Sequence, residues 1–132
     1  MKIFCISILN QSYKQLKNLN LTPVGLGQNK FDQNWLSDNI GENISNKNLN
    51  FGEYSFHYNL WRNENLISNS NEWIGFCSYR RFWTSMEENI NNFEDLEKII
   101  IKKPQKNWEK FDVILGDPVV FRKIKNIKVL KR

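Results

Sequence analysis

The feature that most constrains the fold is a run near the start of the chain, Ile3-Phe4-Cys5-Ile6-Ser7-Ile8-Leu9, nearly all of it apolar. A run without alternation predicts a strand buried on both faces, the central strand of a sheet. It is far too short to span a membrane. It lacks a small-residue cleavage site, and Asn10-Gln11-Ser12 follows at once, so it does not read as a signal peptide. Trp73-Ile74-Gly75-Phe76-Cys77 predicts a second strand and Phe111-Asp112-Val113-Ile114-Leu115 a third. Helical patterns separate them, so the expected fold class is α/β with a mostly parallel sheet. The 132 residues suit a single domain, residues 1–132, large enough for a core without disulfide or metal staples. Hydrophobic content of 40% and aromatic content of 14% exclude a disordered chain.

The segments between these runs are more polar. Residues 12–19 suit a short helix or loop. In Leu21-Thr22-Pro23-Val24-Gly25-Leu26-Gly27, Pro23 predicts an edge strand or extended loop, and the glycines read as turn chemistry rather than a phosphate loop. Residues 34–50 form a long polar stretch; so long an irregular loop in a small domain is uncommon and often functional, while its composition favours a solvent-exposed insertion. Asn50 followed by Glu53 has the spacing of a capping box. Phe51, Tyr54, Tyr58 and Trp61 make one apolar stripe, and Phe56 with Leu60 a second. That pattern predicts a helix over residues 51–62 buried on most sides. Residues 93–101 predict an amphipathic helix with Phe93, Leu96, Ile99 and Ile100 inward, acids toward its start, Lys102 and Lys103 at its end, and Pro104 as the stop. Val119-Val120-Phe121 extends the third strand, and Ile124, Ile127, Val129 and Leu130 carry an apolar pattern to the last residue, as in a shortened version of a longer domain.

A net charge of +5 favours anionic partners: a phosphorylated small molecule, nucleic acid or anionic lipid. A merely solvated basic surface accounts equally well for the C-terminal lysines. Cys5 and Cys77 lie in apolar runs without metal-ligand spacing, as reduced, buried residues of a cytosolic protein do. A disulfide would require their strands to be neighbours. His57, the only histidine, has no visible partner and reads as structural. No DxD, P-loop, HExxH, GxSxG or paired-cysteine motif occurs, and no metal site is expected. The one anion-friendly element is Ser78-Tyr79-Arg80-Arg81, at the carboxyl end of a predicted strand, where open α/β sheets bind ligands. Two guanidinium forks there match a diphosphate, while surface ion pairing is an equally good account. The residues by themselves name no reaction.

Three ordered blocks carry a resemblance. Asp38-Asn39-Ile40-Gly41-Glu42-Asn43-Ile44-Ser45-Asn46-Lys47-Asn48 is similar to a family loop reading Asp-Asn-Thr-Gly-Asp-Asn-Ile-Ser and then Lys-Asn. Phe51-Gly52-Glu53 followed by Tyr58-Asn59-Leu60-Trp61 resembles that family's aromatic-small-Glu segment and aromatic helix. Gly75-Phe76-Cys77-Ser78-Tyr79-Arg80-Arg81-Phe82-Trp83 resembles its Gly-Leu-Cys-His-Tyr-Arg-Arg-Tyr-Phe, and residues 111–115 its later Asp-Ile-Ile-Leu strand. The family is that of bacterial capsular- and exopolysaccharide-biosynthesis glycosyltransferases, galactofuranosyltransferase-like and long described as a domain of unknown function. Ser78 replaces its histidine, Glu42 its aspartate and Ile40 its threonine, and only Ser7 answers to the Thr-His-Lys ending of its first strand.

The resemblance implies a GT-A-like, Rossmann-like nucleotide-sugar-binding domain, shorter than its relatives. It implies transfer of a sugar to a glycan or lipid-linked acceptor, in the cytoplasm or at the inner face of the membrane with peripheral contact. Arg80 and Arg81 would neutralise the diphosphate without metal, although the resemblance leaves the cofactor open, a divalent cation included, with no DxD motif present. Asp38, Asn39, Asn43, Ser45, Lys47, Ser78 and Tyr79 would bind substrate. Glu53 is the candidate catalytic base and equally a helix cap. Two other readings stand beside it: a nucleic-acid-binding module, against which the aromatics fall on apolar faces, and a non-catalytic sugar- or nucleotide-binding fragment.

Overall fold

The computed structural model describes residues 1–10, 13–67, 72–86 and 92–117. Its centre is a four-stranded, all-parallel sheet in the order β3-β2-β1-β4. The strands are β1 (Lys2–Ser7), β2 (Thr22–Gly25), β3 (Leu36–Ser37) and β4 (Ile74–Ser78). Helix α1 (Tyr13–Asn18) joins β1 to β2; α2 (Asn48–Phe51) and α3 (Tyr54–Arg62) lie between β3 and β4; α4 (Phe93–Ile99) follows β4. The chain is thus α/β with a Rossmann-like parallel sheet.

The N-terminal apolar run is the central strand because each face meets its own core. Ile3 and Cys5 pack on Leu16, Leu19, Trp35, Leu96 and Ile100. Phe4 and Ile6 pack on Val24, Leu26, Phe56 and Leu60. The strand ends where its surroundings end: Ile8 and Leu9 are half exposed. Cys5 lies directly opposite Cys77 in the β1/β4 register, so the neighbouring strands that a disulfide would need are present. Both thiols are free, and their mutual interaction lowers the Cys5 pKa and, with burial, raises that of Cys77.

Pro23 does not confine its segment to an edge. β2 is internal, but the two-residue β3 pairs only with Val24 and Gly25, so beside Pro23 the outer side of β2 has no strand to bond. Gly25 is fixed by close approach: a Cβ there would sit 2.3 Å from the Phe31 ring, which itself packs on Trp35 at 5.0 Å. Gly25→Ala should therefore lower stability by about 1–3 kcal/mol, measured by urea unfolding against wild type.

Three expectations for residues 48–62 are corrected. The helix over residues 51–62 is broken: Gly52, at φ +55°, separates α2 from α3. Asn50 lies inside α2, and Glu53 makes no capping hydrogen bond, so the capping box does not form. Asn48 bridges the break, donating to the Gly52 carbonyl at 2.7 Å and the Ser55 hydroxyl at 2.9 Å. The aromatic stripe faces outward, with Tyr54 and Trp61 each 68% exposed, while Ser55, Phe56, Asn59 and Leu60 are buried.

Residues 111–115 form no strand; Phe111, Val113 and Leu115 are exposed. Residues 112–115 line an apolar groove of about 760 Å³ along the outer edge of β4, opposite Trp73, Ile74 and Phe76. Trp83 occupies part of that edge with its indole N–H, donated to the Phe76 carbonyl at 2.8 Å. The expected strand at residues 119–121 and the apolar pattern of residues 124–130 fall outside the described residues.

The amphipathic helix α4 forms with Leu96, Ile99 and Ile100 buried, and Asn92 caps it by accepting from the Asp95 N–H at 2.9 Å. It stops at Ile99 rather than at Pro104. Ile100 turns extended to bridge Thr84, and Ile101 N–H donates to the Trp83 carbonyl at 2.8 Å. Among the described residues no helix is long and apolar enough to cross a membrane.

Candidate functional site

Strand order locates the site. The chain runs outward from β1 through β2 to β3, then returns over α3 to β4 on the other side of β1. The reversal leaves a topological switch point between β1 and β4, and the carboxyl ends of those two strands border the crevice. On one side is the turn after β1, where the Ser7 hydroxyl donates to the Leu9 carbonyl at 2.6 Å and accepts from the Leu9 N–H at 2.9 Å. On the other is the turn after β4.

That turn is tight. Ser78 N–H donates to the Arg81 carbonyl at 3.2 Å, and Arg81 N–H returns to the Ser78 carbonyl at 3.0 Å. Tyr79 N–H donates to the Ile6 carbonyl, holding the turn against β1. Arg80 folds over the Tyr79 ring with its guanidinium carbon 4.7 Å from the centroid, and donates to the Tyr79 hydroxyl. Both arginines are exposed, and neither pairs with a carboxylate among the described residues. The expected surface ion pairs are therefore not what holds them. Two exposed guanidinium groups beside a switch point carry the charge and the planar donors that an anion would need.

The loop after β3 is built differently. Asp38 is fully buried. Its carboxylate accepts from Gly27 N–H at 3.0 Å, Ser45 Oγ at 2.8 Å and Ser55 Oγ. One side chain thereby ties together the turn after β2, the loop and α3. Ser45 is buried with it. Asn43 folds the loop on itself, donating to the Asn39 and Gly41 carbonyls at 3.1 and 2.8 Å and accepting from Ser45 N–H at 3.2 Å. Asp38, Asn43 and Ser45, expected at substrate hydroxyls, spend these bonds on the loop itself. Asn39 and Lys47 are exposed.

The structure thus groups Asp38 with Ser45, and Ser78 with Tyr79, Arg80 and Arg81. The two groups follow strands at opposite edges of the sheet, three strand spacings or roughly 14 Å apart. Glu53 is exposed at the start of α3, its backbone carbonyl accepting from the His57 ring Nδ1–H at 2.9 Å. His57 in turn packs on Phe76, 4.3 Å between centroids, a structural role.

Sequence reasoning missed the inner face of α3. Asn63 donates to the Ile40 and Glu42 carbonyls at 3.1 and 3.0 Å, and Asn59 reaches the same two carbonyls. The available signal was spacing: Ser55, Asn59 and Asn63 recur every four residues, a polar stripe that serves the loop. Glu42 clasps the helix from outside, accepting from Arg62 at 2.6 Å and the Tyr58 hydroxyl at 2.8 Å. The Arg62 bond, then that of Tyr58, holds the Glu42 carboxyl below its usual range; the same Glu42 contacts raise Tyr58 and Arg62.

No cluster of three or more carboxylate, thiol or imidazole groups suited to a metal ion occurs among the described residues. The apolar groove beside β4 is lined by none of residues 38–47 or 78–81. A comparison with curated proteins and another with solved structures each returned no match. A family profile does match, over residues 3–130, and its description is a domain of unknown function, DUF4422. With nearly the whole chain matched, the protein belongs to the DUF4422 family.

Proposed function

We propose that this chain is the nucleotide-sugar-binding part of a glycosyltransferase of polysaccharide assembly, GT-A-like in its use of the sheet's carboxyl end. The observation that carries the reading is the pair Arg80 and Arg81, exposed at the β1/β4 switch point without carboxylate partners among the described residues. In such a reaction the acceptor oxygen bonds to the anomeric carbon as the bond from that carbon to phosphate oxygen breaks. The electron pair leaves with the nucleoside diphosphate, and the acceptor proton passes to a base. Charge develops on the diphosphate, and fixed cations there lower the barrier. Arg80 and Arg81 supply those cations. Among the described residues no three carboxylate, thiol or imidazole groups come together as a set for a divalent cation. Tyr79, already under a guanidinium, offers its ring and hydroxyl beside the phosphates. The residue 38–47 loop borders the same end of the sheet, with Asn39 and Lys47 exposed toward sugar hydroxyls or acceptor. Glu53 is the candidate base. Nucleotide-sugar chemistry locates the reaction in the cytoplasm, at the inner membrane face where the acceptor is lipid-linked.

Calorimetric titration with uridine diphosphate, with and without Mn²⁺, tests this. Arg80→Ala and Arg81→Ala should each weaken binding by about ten-fold or more, the cost of a lost charge-assisted contact. Unchanged affinity in both variants would sink the assignment. One observation favours a non-catalytic nucleotide binder instead: Glu53 has no side-chain hydrogen bond or ion pair among the described residues to orient it as a base. Nucleotide-sugar hydrolysis or transfer by the wild-type protein, lost in Glu53→Gln, would reject that alternative.

A further inference from the structure

We propose that the outward face of α3 around Trp61 is a saccharide-binding platform for a neutral oligosaccharide. Trp61 is 68% exposed yet closely fixed. The Tyr58 ring meets it edge-on, centroids 5.8 Å apart and planes at 73°. The Arg62 guanidinium lies 5.2 Å from the indole centroid. Tyr58 and Arg62 are both anchored on Glu42, which belongs to the loop that Asp38 holds. Tyr54, equally exposed, continues the aromatic row one turn earlier.

This combination fits sugar chemistry. A sugar ring has faces of C–H bonds and a rim of hydroxyls. The C–H face packs on a flat aromatic surface, whose rigid ring is ordered at little entropic cost. The hydroxyls bond to planar polar groups able to take two contacts at once. Trp61 supplies the surface; Glu42 and Arg62 supply the planar groups, already oriented by each other. The paired charges cancel, which suits a neutral ligand. Glu42 repels phosphate, and Arg62 is engaged with it, so nucleic acid or an anionic lipid surface fits poorly. The role as acceptor site rests on the transferase reading; saccharide binding itself does not.

The test is a panel of immobilised neutral oligosaccharides of three to five glucose or galactose units, in α- and β-linkages and in pyranose and furanose forms. Wild-type protein should bind at least one member. Trp61→Ala should weaken that binding about ten-fold or more, and Glu42→Gln should weaken it measurably, with both melting transitions within a few degrees of wild type. The platform is overturned by no binding across the panel, by equal binding of Trp61→Ala, or by a collapse of the Trp61→Ala melting transition, which would make the indole structural. Phosphatidylglycerol vesicle binding that is lost in Trp61→Ala, without oligosaccharide binding, would assign the face to a membrane and overturn it too. Titration of the unsubstituted protein with uridine diphosphate separates the two proposals. Nucleotide binding without glycan binding removes the platform and leaves the transferase; glycan binding without nucleotide binding does the reverse.

Discussion

Asp38→Ala lowers unfolding free energy by about 3–5 kcal/mol, measured as the urea midpoint at constant slope. The size follows from what the carboxylate serves. Three donors converge on it: Ser45 Oγ and Ser55 Oγ through buried bonds and Gly27 N–H through a part-buried one. Alanine leaves them all without that acceptor, and burying an unsatisfied donor costs far more than an average hydrogen bond contributes. Asp38→Asn keeps one acceptor oxygen but presents an amide to hydroxyls that now donate, so it should cost about 1–3 kcal/mol. Had Asp38 faced a sugar in solvent, both variants would leave the midpoint unchanged and weaken only ligand binding. The unfolding curves therefore decide between a residue that holds the loop and one that touches substrate.

Phe4→Ala is expected to cost about 3–5 kcal/mol, by the same measurement. Phe4 is fully buried in the central strand, edge-on to Phe56 at 5.2 Å and stacked near Phe76 at 5.9 Å. It joins α3 to both β1 and β4. Its removal forfeits transfer free energy and leaves a void between elements that cannot collapse independently. Against a typical total of about 5–15 kcal/mol for a domain, that is a large fraction. Phe4→Leu, which fills most of the volume, should recover more than half of the loss. A Phe4→Ala cost below about 1 kcal/mol would mean that α3 is not seated on the sheet as described.

Much of the fold was legible because burial leaves a local trace. Residues 3–6 lack alternation since both faces of β1 are covered, and Leu96, Ile99 and Ile100 recur at helical spacing since one face of α4 is covered. Residues 111–115 misled for the opposite reason. Val-Ile-Leu has high strand propensity, but propensity takes effect only through a hydrogen-bonding partner. In the structure Trp83 donates to part of the β4 edge, and Val113 and Leu115 stand across a groove from it. Within the site, the turn of Ser78, Tyr79, Arg80 and Arg81 was recognisable as a strand end carrying paired forks.

By itself, then, the sequence determined the class of fold, the central strand and the strand end that presents the arginines. Each depends on neighbours in the chain or on a single amphipathic period. Only the tertiary structure decided which face of α3 points inward. Aromatic residues have the stronger hydrophobic pull, and pattern alone turns Tyr54, Tyr58 and Trp61 toward the core. The loop after β3, however, carries a buried carboxylate and partly buried carbonyls whose hydrogen bonds are made within the protein. Ser55, Asn59 and Asn63 make them, and the helix is rotated to meet that need. The cost of an unpaired buried polar group outweighs the benefit of covering a half-polar ring, and that balance depends on contacts between residues roughly 20 positions apart, which no local pattern encodes.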